Sequence, residues 1–305
     1  MRTRHLLLLA TLGPSLFADL VPDVRAAIAQ NQPAIAGQMI DTYRKQRGAT
    51  PEMIEAMSWL ARAAVAHGQY AEADSQAKEV MRLAAVQLAK QAGRLDAEPH
   101  LPTAVGAAIE VEGQAMAGRG ERDQAVTYLR NQLRLYYATS IRARIQKSIN
   151  LLSLEGKPMP PLEIAEYIGP KPAPLVRGKP VLLFFWAHWC SDCKGEVSIL
   201  EKLKSEYTSK GVVFLAPTQH YGYVAGGEDA PRALETKYID EVRHKFYAGL
   251  LDVPVPLSEE NFKRFGSSTT PTLVLADRAG TVRMYHPGAM SESELRAQLD
   301  GVLRR

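Results

Sequence analysis

Between residues 19 and 155 the apolar side chains return every three or four positions. Ala, Leu, Met and Ile alternate there with Gln, Glu, Arg and Lys, and no β-branched run interrupts them. That period describes helices with one buried face, built from good helix formers. From about residue 180 the pattern changes. Short continuous apolar runs at 180–186, 211–216 and 272–276 are separated by helix-period stretches. Runs of that length bounded by turn residues predict buried strands, and the alternation predicts an α/β domain. The clusters Gly156-Lys157-Pro158-Met159-Pro160-Pro161 and Gly169-Pro170-Lys171-Pro172-Ala173-Pro174 break everything helical,. The expected organisation is an all-α helical-hairpin domain over 19–155 and an α/β domain over 160–305. A short edge strand is expected at 162–168.

In the second domain the pattern predicts a helix from Lys194 to Leu203, strand 211–216 and a helix at 232–247. An extended segment at 253–257 follows. Ser258 caps a helix that stops at Gly266, and strand 272–276 turns through 277–280 into strand 281–286,. Ser291 and Glu294 form a capping-box pattern before a helix with Leu295, Leu299 and Val302 on one face,. The central sheet is expected to be mixed, with helices on its flanks. Residues 218–229 form a Tyr- and Gly-rich loop, longer than a simple crossover needs,. Its Tyr221 and Tyr223 read either as a docking wall for a partner or as part of a solvated surface loop.

The helical half carries a faint internal echo. Trp59–Ala73 and Ile109–Ala125 each read as helix, Gly-containing turn and helix starting with a small Ala. This resembles the hairpin of tetratricopeptide repeats, although the copies lie about fifty residues apart rather than 34. A helix at 81–91 and a break at 99–102 account for the extra length. The alternative is an irregular helical bundle. Such hairpins serve self-association, a protein partner or plain support.

The first residues are basic, Met1 to His5, followed by an apolar run from Leu6 to Leu12 and small residues near Ala18. This predicts a secretory signal over 1–18, cut after Ala18, with an uncleaved anchor or a buried helix as alternatives. A periplasmic or otherwise extracytoplasmic protein, soluble after cleavage, is expected. The formal net charge of +4 comes without a dense Lys/Arg block, so nothing points to nucleic acid,.

The chemistry lies in Trp189-Cys190-Ser191-Asp192-Cys193-Lys194, which holds both cysteines of the chain. Strand, short loop and helix place the pair on a first helical turn, where positions i and i+3 share a face. The unpaired N–H groups and dipole of a helix N-terminus favour a thiolate. Cys190 is expected to be the exposed nucleophile and Cys193 the resolving thiol in exchange through a mixed disulfide. Zinc needs two further ligands, and His188, His220, His244 and His286 are scattered,. Haem attachment needs a His where Lys194 stands. No metal and no cofactor beyond the dithiol are expected. Trp189 would shield the loop and offer an apolar contact to a client, and Trp186 reads as core.

The segment Phe184-Phe185-Trp186-Ala187-His188-Trp189-Cys190-Ser191-Asp192-Cys193 resembles the active-site segment of thioredoxin-fold proteins. With Glu196 and Leu200 it is similar to the TlpA/ResA-like disulfide oxidoreductases of bacterial cell envelopes. Ser268-Thr269-Thr270-Pro271-Thr272 matches the family's second landmark. The resemblance implies a thioredoxin-like α/β fold over 160–305 and a cis Pro271 opposite the cysteines. It also implies a Glu196 that lies under them and influences their protonation, and a Thr270 whose backbone meets a bound peptide. Ser198 stands where the family has a helix-kinking Pro, so a straighter helix is expected. The implied activity is thiol–disulfide exchange, with client protein disulfides or thiols and a thiol electron donor as partners. Asp192 between the cysteines and a buried Glu196 would oppose a negative sulfur, and this charge balance predicts the reducing direction. A non-catalytic adaptor and a thiol peroxidase are the alternatives.

Overall fold

A computed structural model describes residues 19–173 and 178–304, so the expected signal over 1–18 lies outside the described residues. The chain divides into two compact units at Ala108/Ile109.

The first unit is helical: α1 (Leu20–Ala29), α2 (Pro33–Arg47), α3 (Pro51–Ala66), α4 (Tyr70–Lys90), a single 3-10 turn at Leu95–Ala97 and the first half of α5 (His100–Gly118). Local chemistry sets the ends. The Thr50 hydroxyl accepts the Met53 N–H at 3.2 Å and Pro51 occupies the first position of α3,. Gly68 turns α3 into α4 at φ +72°,. Ala61, Ala64, Ala73 and Ala77 are buried between the two, and their small size lets the helices approach. Glu52 ties three helices: its carboxylate accepts the Leu20 N–H and the Tyr43 hydroxyl, each at 2.9 Å. The separate helix expected at 81–91 is the second half of α4, because no breaker interrupts that segment.

The second unit holds the rest of α5, then α6 (Arg122–Leu135), α7 (Arg142–Ser153), β1 (Tyr167–Ile168), β2 (Val181–Phe185), α8 (Ser191–Gly195), α9 (Val197–Thr208), β3 (Val213–Leu215), α10 (Arg232–Phe246), β4 (Val255–Pro256), α11 (Glu259–Phe265), β5 (Thr272–Ala276), β6 (Val282–Pro287) and α12 (Glu292–Leu303). The main sheet runs β3-β2-β5-β6. β2 is parallel to β3 and antiparallel to β5, which is antiparallel to β6. The mixed sheet is therefore present. The edge strand expected over 162–168 shrinks to β1, paired with β4.

Both faces of the sheet are buried, which is why its central strands read as unbroken apolar runs. Leu182, Phe184, Leu273 and Leu275 join one core with Leu200, Leu203, Ile239 and Leu299. Val181, Leu183, Phe185 and Val274 face the other way, onto Phe262, Phe265 and Tyr285. Phe265 is fully buried, and its truncation to Ala would cost about 3–5 kcal/mol.

Helix α7 is bonded directly to this second core. The Asn150 amide donates to the Phe265 carbonyl at 2.8 Å, and Arg142 grips Glu260 at 2.8 and 3.1 Å. A Cβ on Gly266 would come within 2.3 Å of the Lys147 backbone nitrogen, and its φ is +64°. Gly266 thus both ends α11 and admits α7. On α5, a Cβ at Gly113 would meet Leu129 of α6 at 2.9 Å, so glycine there lets the pair close. The Gly/Pro cluster at 156–161 marks where helix gives way to sheet. The compact-unit border lies earlier, within α5. Among the described residues no helix is long and apolar enough to cross a membrane.

Candidate active site

β2 delivers the motif to one end of the sheet. Cys190 is the N-cap of α8, and its Sγ accepts the Cys193 N–H at 3.0 Å. The two sulfurs are joined in a disulfide, with Cα atoms 5.3 Å apart. A sulfur at this position receives the open N–H groups of the helix, which stabilise a thiolate when the bond is reduced. Cys190 is not the exposed group expected: it is 3 % accessible and Cys193 is fully buried. The loop carries Cys190 inward, and its neighbour Trp189, half exposed, takes the surface position. Trp186 is core, its indole N–H donating to the Ala216 carbonyl at 2.9 Å.

The Thr270–Pro271 peptide is cis. Phe185 of β2 stands opposite Thr272 of β5. The residues that follow one strand and precede the other therefore meet at the same sheet end. Pro271 has no N–H, its carbonyl accepts the Gly288 N–H at 2.8 Å, and the Thr270 hydroxyl has no partner.

Beneath the motif the active-site helix is interrupted at Glu196, between α8 and α9. The straighter helix expected from Ser198 is not found. The interruption falls at Glu196, directly after Gly195, whose lack of a side chain favours a break there,. Glu196 is buried; one carboxylate oxygen accepts the Met290 N–H and the other has no partner. Burial pushes its carboxyl above the usual range, Asp192 adds to the rise, and the Met290 N–H and His286 oppose it. Tyr247, packed on Trp186 at 4.7 Å, is raised too, by burial and then by Glu196. The Lys194 ammonium lies over the Phe246 ring, 4.6 Å from its centre,.

The other side of the motif holds residues that the sequence did not single out. His188 is buried, with Nε2 3.4 Å from an oxygen of fully buried Glu235. Glu235 also accepts the Tyr221 and Gly222 N–H groups, at 2.5 and 2.9 Å. The His188 ring meets Tyr221, Tyr223 and Tyr238 edge-on at 5.3–5.4 Å. Burial holds the imidazole below its usual range, with Glu235 pulling upward. One signal was available: Glu235, Ile239 and Val242 fall on a single stripe of α10, so this glutamate occupies a core position,. Trp189 stands against Tyr221 at 5.6 Å, and Tyr221 lies 6.3 Å from Tyr223. The structure thus groups Trp189, Tyr221 and Tyr223 around the residues just before Cys190, while Glu196 lies at the helix break that follows Cys193. The 218–229 loop is ordered by its own bonds, Thr218 bridging Leu257 and Val224 N–H donating to Glu228.

A four-stranded mixed sheet, a Cys-x-x-Cys pair capping a helix and a cis proline at the facing strand define a fold of the thioredoxin type. Residues 175–303 match the family described as a thioredoxin-like domain, and this region is one. The chain is similar to the thioredoxin-like protein YneN of Bacillus subtilis (strain 168), 28% identical over 125 residues, which cover 41% of this chain and 65% of that protein. It is likewise similar to the thiol-disulfide oxidoreductase ResA of Geobacillus thermodenitrificans (strain NG80-2), 26% identical over 126 residues, 41% of this chain and 64% of that protein. The chain spans just under two thirds of the length of these relatives. A solved thiol-disulfide isomerase from Corynebacterium glutamicum aligns with a TM-score of 0.39 at 21% identity, over 48% of this chain and 97% of that one.

Proposed function

We propose that this protein is an exported thiol–disulfide oxidoreductase that reduces disulfides of client proteins. The observation that carries the reading is the Cys190 sulfur, which caps α8, accepts the Cys193 N–H and is bonded to Cys193. In the reduced protein the Cys190 thiolate attacks a client disulfide and one client sulfur leaves as thiolate. Cys193 then attacks the Cys190 sulfur, the second client sulfur leaves, and the Cys190–Cys193 disulfide forms. Two electrons pass to the client, whose thiolates take up two protons. A dithiol donor resets the pair by the same exchange in reverse. Glu196 takes or returns the proton of Cys193, Pro271 and Thr270 receive the client backbone, and Trp189, Tyr221 and Tyr223 form the wall it docks against.

The reducing direction is supported by charge. Asp192 and buried Glu196 oppose a negative sulfur, and Lys194 sits over Phe246. A less stabilised thiolate means a lower reduction potential. Export over the signal at 1–18 fits a compartment where disulfides persist. The helical region at 19–155 is assigned to association with a partner or a second copy.

Reduction of insulin disulfides by the full chain tests the activity, and a Cys193→Ser trap should accumulate mixed disulfides. Absence of turnover with any thiol donor would leave the adaptor reading. Equilibration in glutathione buffers tests direction: a potential near that of strong oxidants, around −120 mV, would refute the reductase assignment.

A further inference from the structure

The second unit contains a cleft of about 650 Å³ whose floor includes Gln219, Phe262, Ser267 and Ser268. Its far wall is Tyr137, Arg142 and Ala143, from the α6–α7 turn and the start of α7. Those wall residues lie outside the segment that matches the thioredoxin-like family.

Three features say what belongs there. Gln219 Oε1 and Ser267 Oγ, both lining the cleft, are buried without a hydrogen-bond partner, and so is Thr270 Oγ1 two residues beyond Ser268. Ser267 is 3 % accessible. Buried polar atoms are almost always satisfied, so the unpartnered Gln219 and Ser267 oxygens in this lining mark where a hydrogen-bonding occupant fits,. The cations of the cleft are already taken: Arg142 is paired with Glu260 and Lys263 with Glu259. An anionic occupant would find no free charge, whereas a neutral polypeptide backbone needs none. The cleft also neighbours the cysteine motif through packed rings. Phe262 meets Tyr221 at 6.4 Å, Tyr221 meets Trp189 at 5.6 Å, and Cys190 is next in the chain. Along the other edge, Ser267 and Ser268 lead through Thr269 to Thr270 and Pro271.

We propose that this cleft binds an extended stretch of the client polypeptide lying to one side of its cysteine. The α6–α7 turn is the second wall of that subsite. The inference rests on the thiol-exchange reading and adds to it a specificity element built from helical sequence outside the redox domain. Main-chain groups of the client bond to Gln219, Ser267 and Thr270. The Tyr137 ring, 55 % exposed and held by the Arg142 guanidinium 3.9 Å from its centre, gives a client side chain a flat surface. The volume falls in the range of ligand-binding clefts in general, about 300–1,000 Å³,.

The test compares glutathione disulfide with mixed disulfides between glutathione and an uncharged peptide of about eight residues, with cysteine at either end. The full-length reduced protein is used, and the readout is the ratio of second-order rate constants, peptide over glutathione disulfide. Wild type should favour one of the two peptide orientations by about tenfold. Ala143→Trp, which fills the cleft, and Tyr137→Ala, which removes its exposed wall without touching a core, should each lower that ratio about fivefold. A ratio that stays at its wild-type value in both variants would overturn the proposal, as would equal rates for the two orientations. If wild type fails to reduce glutathione disulfide itself, the thiol-exchange reading falls and this inference with it.

Discussion

Two buried glutamates meet the cysteine segment and are treated differently: Glu235 stands against His188, two residues before Cys190, and Glu196 follows Cys193 by three. Glu235, on the His188 side, has both carboxylate oxygens occupied by backbone N–H groups, of Tyr221 and Gly222, with the imidazole 3.4 Å away. Glu196, on the side of the helix break, has one oxygen bonded to Met290 and one without a partner. A carboxylate satisfied on every side works as a pin: it fixes the Tyr221 turn to the loop that carries the cysteines. A carboxylate left half open in a dry site has a raised pKa and is ready to exchange a proton. Burial alone therefore does not separate scaffold from chemistry. The hydrogen-bond count does.

The widest-ranging way to break this comparison is to remove the reactive sulfur itself. Cys190→Ser should abolish exchange in the insulin assay while Cys193→Ser accumulates mixed disulfides; normal turnover in Cys190→Ser would deprive Glu196 of its assigned role. Next in size is the pin. Glu235→Ala leaves the Tyr221 and Gly222 N–H groups without their acceptor, and should cost about 3 kcal/mol in urea unfolding,. Glu196→Gln should cost under about 1 kcal/mol at pH 7, because it replaces a carboxylate that burial already disfavours. Equal losses in the two variants would erase the distinction.

A pH series sharpens it further. The folded pKa of Glu196 is raised, so its favourable contribution is present below the unfolded value and is lost as pH rises through the folded pKa,. The stability difference between Glu196→Gln and wild type should therefore move in the variant's favour as pH rises from below the unfolded carboxyl pKa through the raised folded one,. The smallest effect belongs to His188. Its folded pKa is depressed, so its contribution is present above the unfolded value and fades as pH falls through the folded pKa,. His188→Phe should match wild type within about 1 kcal/mol at pH 8 and resist acid better below pH 6, followed by circular dichroism. A variant that loses stability equally at both pH values would show that the imidazole titrates as in water.

Much of this was legible along the chain. Strand β5 occupies the apolar run at 272–276, Ser258 and Ser291 cap the helices they were expected to cap, and Gly266 ends α11 in the left-handed conformation. Such features are decided within a few residues by period, capping and turn chemistry. The cysteine pair on a first helical turn belongs with them, because an apolar strand leads in and a helix leads out. Tertiary structure alone decided the burial of Cys190, the break at Glu196 without a proline, and the opposite fates of the two glutamates. Each depends on atoms remote in sequence. The Met290 N–H reaches Glu196 from before α12, and His188 reaches Glu235 from the motif loop. From the chain alone, Glu235 and Glu196 are both helix carboxylates. What packs against a side chain fixes how much water it keeps and how many partners it finds, and no local pattern records that.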